Sequence, residues 1–175
     1  TGLIGLANPR ENLLAGVEEA YAELSLDGGA DAAAAIMTTD TVSKQAVVEG
    51  AGWTIGGMAK GAGMLAPALA TMLVVITTDA VVDAADLDTA LRAATRVSFD
   101  RLDSDGCMST NDTVTLMASG ASGITPALDD FTAALTQVCT DLAMQLLKDA
   151  EGADHEIAIT VLNAASEDDA VEVGR

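Results

Sequence analysis

Between Pro126 and Lys148, the residues Leu128, Phe131, Leu135, Val138, Leu142, Leu146 and Leu147 recur at helical spacing, which predicts a long helix with one continuous apolar face. Such a stripe is stable in water only against a second apolar surface, so the rest of the chain must fold to cover it. Strand-like runs supply that surface. Lys44–Glu49 and residues 53–57 flank the turn Glu49-Gly50-Ala51-Gly52 and predict a hairpin. Residues 72–76, Met-Leu-Val-Val-Ile, have the profile of a fully buried strand, and Thr113–Ala118 predicts another, ending at a turn over residues 120–123. Half of the 175 residues are hydrophobic but only 2% are aromatic, so the core has to be packed from Ala, Val, Leu, Ile and Met at short range.

Asn8 before Pro9 predicts an N-cap with proline in the first turn of a helix carrying Leu13, Leu14, Val17, Tyr21 and Leu24. The alanine-rich residues 31–37 predict a second, short helix, and Leu87, Leu91, Ala94 and Val97 a third, entered through Asp83 and Asp86. Ile157, Ile159 and Val161 alternate as a half-buried strand would, and the acidic tail from Ser166 is expected to pair with something outside the chain. Strands and helices in similar number without a strict βαβ rhythm predict an α+β fold, a mixed sheet packed with helices, over a doubly wound sheet. No repeat or linker divides the chain. It starts at Thr1 without an initiator Met, and is expected to be one domain or the middle fragment of a longer protein.

Eight Lys and Arg stand against 27 Asp and Glu, a formal net charge of -19, which repels phosphate backbones and anionic lipid headgroups and so argues against nucleic acid and membrane partners. The apolar residues 62–76 fall short of the about 20 a span requires, and Pro67 interrupts them. Cys107 and Cys139 form no disulfide framework or zinc motif, so a cytoplasmic location is the expectation.

Most of the motifs have an ordinary reading. Residues 56–63 are rich in glycine, but a Walker loop needs its Lys directly after the last Gly, and here Lys60 precedes Gly61. The segment is expected to be a loop whose glycines let the backbone pass close to a ligand or another strand. Asp103, Asp105, Gly106 and Asp112 resemble a calcium loop, but Arg101 stands where the first ligand belongs and Asp112 replaces the closing Glu; a turn capped by Asp and Asn is expected instead. His155, in a polar turn, is expected to be solvated. Thr71 reads first as a strand-capping residue. It also has the placement of an N-terminal nucleophile, which would carry its own base, because an α-amine titrates near about 7.7–8.0.

At these residues the sequence resembles the bifunctional ornithine acetyltransferase, or glutamate N-acetyltransferase, family of arginine biosynthesis. The matching signatures are Thr1-Gly2-Leu3-Ile4-Gly5, Ala35-Ile36-Met37-Thr38-Thr39-Asp40-Thr41, residues 60–71, Thr77-Thr78-Asp79-Ala80, residues 103–113 and Glu151-Gly152, in the family's order. The resemblance implies an N-terminal-nucleophile-like architecture that cuts itself between Ala70 and Thr71, so that residues 1–70 end an α chain and residues 71–175 begin a β chain, usually in an α2β2 heterotetramer.

By the same resemblance Thr71 is the nucleophile, Thr1 and Gly2 form the oxyanion hole, and Thr38, Lys60 and Glu151 contact substrate. It implies ping-pong transfer of acetyl from N-acetylornithine to glutamate with no metal or organic cofactor; some members also take acetyl-CoA as a co-substrate. Family segments that close over the substrate are missing here, so this piece alone is expected not to turn over. Two other readings stand beside it: a self-processing threonine amidohydrolase or aminopeptidase, and a non-enzymatic acidic α+β module whose Gly-rich segment is only tight packing.

Overall fold

In the computed structural model, which describes residues 7–63, 72–107 and 109–175, the chain runs α1 (Arg10–Ala22), α2 (Gly29–Ala35), β1 (Lys44–Glu49), β2 (Thr54–Lys60), β3 (Leu73–Thr78), α3 (Ala84–Arg96), a 3-10 turn (Phe99–Arg101), β4 (Thr113–Ala118), α4 (Leu128–Lys148) and α5 (Glu167–Gly174). The strands form one sheet in the order β1-β2-β3-β4. β1, β2 and β3 are antiparallel neighbours; β3 and β4 are parallel, joined by α3 as a crossover. The fold is therefore α+β, a mixed sheet packed with helices.

The predicted stripe is the centre of the core. Phe131, Leu135, Val138, Leu142 and Leu146 of α4 are fully buried against β1 and β2, and α3 packs beside α4. From the sheet, Ile55, Ala59, Val74 and Ile76 meet them. Trp53 closes the hairpin turn onto α4, its ring centroid 5.7 Å from that of Phe131. α3 is capped by Asp83, whose carboxylate accepts from the N–H groups of Ala85 and Asp86, both at 2.9 Å.

The glycine-rich segment is not a loop over its first half. Residues 56–60 belong to β2 and pair on both sides, Gly57 with Ala46 and Ile76. Its glycine serves a helix instead of a ligand: a Cβ on Gly57 would stand 3.0 Å from Leu142 Cδ1 and 3.2 Å from Val138 Cγ1. A bare backbone here lets α4 lie directly on the central strand, a core made thin by the scarcity of aromatic residues.

Four local expectations are corrected. The first helix starts at Arg10 with Pro9, not Asn8, at its N-cap and without a side-chain cap; Leu13, Leu14, Val17 and Tyr21 on it are exposed. The second helix ends at Ala35, short of Met37. Ile157 and Ile159 form no strand and are 79% and 69% exposed, because alternation makes a strand only where a neighbour accepts its backbone hydrogen bonds. The acidic tail pairs within the chain: it folds as α5, capped by Ser166 on the Asp169 N–H, and Asp168 and Glu167 meet Arg96 and Arg101.

A buried charge cluster ties the start of the sheet to the end of α4. Lys44 Nζ, fully buried, lies 2.7 Å from Asp40 Oδ1 and 2.5 Å from Asp149 Oδ2. Asp149 also accepts from the N–H and hydroxyl of Thr41. Burial alone would raise the Asp40 carboxyl, but hydrogen bonds from Lys44 and from the N–H groups of Gly61 and Thr38 outweigh it and hold it below the ordinary carboxylate range. Asp149 is lowered in the same way by Lys44 and Thr41.

Two outcomes are expected. Gly57→Val should destabilise the protein by about 1–3 kcal/mol in denaturant titration, because Val138 and Leu142 leave no room for side-chain methyls. A carboxylate held below its unfolded pKa stabilises above that pKa and loses the contribution as pH falls through the folded one. The stability advantage of wild type over Asp40→Asn, about 1–3 kcal/mol at neutral pH, should therefore shrink on acidification below the usual carboxylate range, as thermal melts at matched pH would show.

Candidate functional site

Lys60 is the last residue of β2 and is 1% exposed. Side chains alternate along a strand, so it points to the side of the sheet opposite Ala59, away from the helix layer. Its Nζ lies 3.4 Å from Thr38 Oγ1. Burial lowers the Lys60 pKa, while the carboxylates of Asp40 and Asp112 act in the opposite direction and favour the ammonium.

Thr38 and Lys60 come from segments far apart in sequence, and one side chain brings them together. Asp40 Oδ2 accepts from the Thr38 N–H at 3.1 Å, and its Oδ1 accepts from the Gly61 N–H at 2.7 Å. Gly61 has φ +145°, a conformation for which glycine is suited, and this turns the chain out of β2 with its N–H toward Asp40. Immediately beyond, the Ala62 carbonyl accepts from the Glu151 N–H, and the Glu151 carboxylate lies 3.6 Å from where a Cβ on Gly63 would stand. Thr38, Lys60 and Glu151 are thus gathered at the end of β2 from the loop before β1, the sheet itself and the loop after α4.

The next strand starts at the same end, since Lys60 pairs with Leu73. Both backbone groups of Met72 are engaged: its N–H donates to Asp112 Oδ1 at 2.8 Å and its carbonyl accepts from the Thr113 N–H at 3.0 Å. Thr1, Gly2, Ala70 and Thr71 lie outside the described residues.

Asp103 and Asp105 fold back on the N–H groups of Gly106 and Cys107, a turn of the expected kind. Among the described residues no cluster of three or more His, Cys, Asp or Glu is placed to hold a metal ion, and no helix is long and apolar enough to cross a membrane. His155 is exposed. The Cys139 thiol is buried, and burial pushes its pKa up to about 12, so it offers no thiolate nucleophile at neutral pH.

Sequence reasoning missed the part that Asp40, Lys44 and Asp149 play in holding this arrangement, and read Asp112 only as the end of a calcium-like loop. The i,i+4 spacing of Asp40 and Lys44 was a usable signal. Asp149 was not, since it reaches Lys44 across 105 residues.

Several proteins called "Arginine biosynthesis bifunctional protein ArgJ" align with the whole chain. That of Streptomyces coelicolor is 65% identical over 175 residues, covering 100% of this chain and 46% of the relative. That of Thermobifida fusca is 66% identical with the same coverage, and that of Mycolicibacterium paratuberculosis is 60% identical over 178 residues, 44% of its length. The chain therefore spans less than half the length of these relatives. The crystal structure of the Bacillus halodurans arginine biosynthesis bifunctional protein argJ aligns with a TM-score of 0.42 and 42% identity, over 45% of this chain and 39% of that one. The ArgJ family matches residues 1–175 in full, and the chain belongs to that family.

Proposed function

We propose that this chain is part of an acetyltransferase of arginine biosynthesis that moves acetyl from N-acetylornithine to glutamate through an acetyl-threonine at Thr71, after self-cleavage between Ala70 and Thr71. The observation that carries the reading is the gathering of Thr38, Lys60 and Glu151 around residues 60–63, one short segment before that junction. A solvated surface lysine would need no such setting; Asp40 and Asp112 favour the ammonium against burial, and a charged Nζ can donate to an amino-acid carboxylate. Family membership over the full chain adds independent support.

In the first half-reaction the Thr71 hydroxyl attacks the acetyl carbonyl of the donor and passes its proton to the free α-amine of Thr71. The amide C–N bond breaks, the departing ornithine amine takes the proton, and an acetyl ester remains on Thr71. Thr1 and Gly2 serve as oxyanion donors in the tetrahedral intermediate. In the second half-reaction the glutamate amine attacks the ester, yielding N-acetylglutamate and restoring the hydroxyl. Lys60 holds a substrate carboxylate, Thr38 orients Lys60 and substrate, and Glu151 holds a substrate amine. Neither half-reaction calls for a metal or organic cofactor, and acetyl-CoA is an additional donor to assay. The two cleaved chains act together in the cytoplasm as an α2β2 heterotetramer.

Replacing Thr71 by Ala in the full-length protein should leave one uncut chain by intact mass and abolish acetyl transfer; normal cutting would overturn the assignment. Glutamate-independent hydrolysis of N-acetylornithine by the cut wild-type protein would favour an amidohydrolase instead. Lys60→Met should lower kcat/KM by about 10- to 100-fold, chiefly through KM, as loss of a charged hydrogen bond requires.

A further inference from the structure

Asp112 closes the loop that resembles a calcium site, yet its carboxylate is committed elsewhere. Its Oδ1 accepts the N–H of Met72 at 2.8 Å, while the N–H of the following residue, Thr113, donates to the Met72 carbonyl at 3.0 Å. Both peptide groups of the residue after Thr71 are thus fastened to the N-terminal end of β4. From Thr113 to Ala118 the parallel ladder continues this grip along all of β3. Asp112 is half-buried, which strengthens a charge-assisted bond to a backbone N–H relative to one in water.

We infer that Asp112 is a positioning residue for the acetyl-transfer site, anchoring the backbone immediately after the Thr71 nucleophile. The inference rests on the proposed role of Thr71. A nucleophile at the first position of a chain has no preceding peptide to hold it, so its placement depends on what fixes the residue that follows. A carboxylate can do this without adding a competing donor near the hydroxyl. The same carboxylate acts on Lys60 and favours its ammonium against the effect of burial. The other charged groups at that end are Asp40, bound to the Gly61 N–H and to the Lys44 ammonium, Asp149 on the far side of Lys44, and Glu151, beside Gly63. Asp112 thereby couples nucleophile placement to the charge that holds the substrate.

The test uses the full-length protein with Asp112→Asn, which keeps an acceptor oxygen but loses the charge, and Asp112→Ala, which loses both. Asp112→Ala should lower kcat by about 100-fold with little change in KM, the size expected for a small misplacement of a reacting group. Asp112→Asn should retain most of kcat, but with one fewer carboxylate favouring the Lys60 ammonium, so the alkaline fall of kcat/KM should begin at lower pH than in wild type. Wild-type kcat in folded Asp112→Ala, or a wild-type pH profile in Asp112→Asn, would overturn the proposal. Should Asp112→Ala fail to fold, the Asn profile decides alone. Thr71→Ala is assayed in parallel: transfer that persists there defeats the acetyl-threonine reading itself, whereas its loss together with unaltered Asp112 variants defeats this proposal only.

Discussion

A single carboxylate, that of Asp40, holds together the parts on which the rest depends. It accepts from the Lys44 ammonium, the Gly61 N–H and the Thr38 N–H, so one buried side chain joins the loop before β1, the first strand and the exit of the second. Lys44 passes the linkage on to Asp149 at the end of α4. A buried ammonium between two carboxylates costs a good deal in desolvation, and hydrophobic replacements of such clusters are often at least as stable. Its value lies in geometry: oriented donors and acceptors set where Thr38 and Lys60 stand, which apolar packing of the same volume would not do.

What could be read beforehand follows from the range of the forces involved. The α4 stripe and the Asp83-capped helix were legible because periodicity and capping act within a few residues. The hairpin was legible from its Gly turn, and Glu49 does pair with Thr54 across it. The glycines at 56 and 57 misled because they signal loops locally, whereas Gly57 answers to Leu142 and Val138, 85 and 81 residues away in sequence. Ile157, Ile159 and Val161 misled for the converse reason, since a periodic pattern carries no knowledge of whether a partner strand exists. The capping pair Ser166 and Asp169 was local and visible, and went unread behind the acidity of the tail.

For the site, Thr38, Lys60 and Glu151 were reachable only through family resemblance; nothing in their spacing places them together. Lys60 ends a strand, Thr38 follows a helix and Glu151 follows another, and their approach is a product of Asp40 and of the Glu151 backbone bond to Ala62. Asp112 was noticed for a different reason, as the defective end of a calcium-like loop. Its hydrogen bond to Met72 spans 40 residues and arises from the parallel placement of β4 beside β3.

The antiparallel pairing of β2 with β3 governs how the molecule would tolerate a nick. Six residue pairs, from Ile55 with Thr78 to Lys60 with Leu73, stitch the two strands along their whole length, and the last pair sits where the connecting stretch both leaves and returns. Severing that stretch would remove a tether between two segments already laced side by side, and α4, which follows the stretch in sequence, packs on β1 and β2, which precede it. The β2–β3 ladder and the packing of α4 would then hold the two halves together without a covalent link.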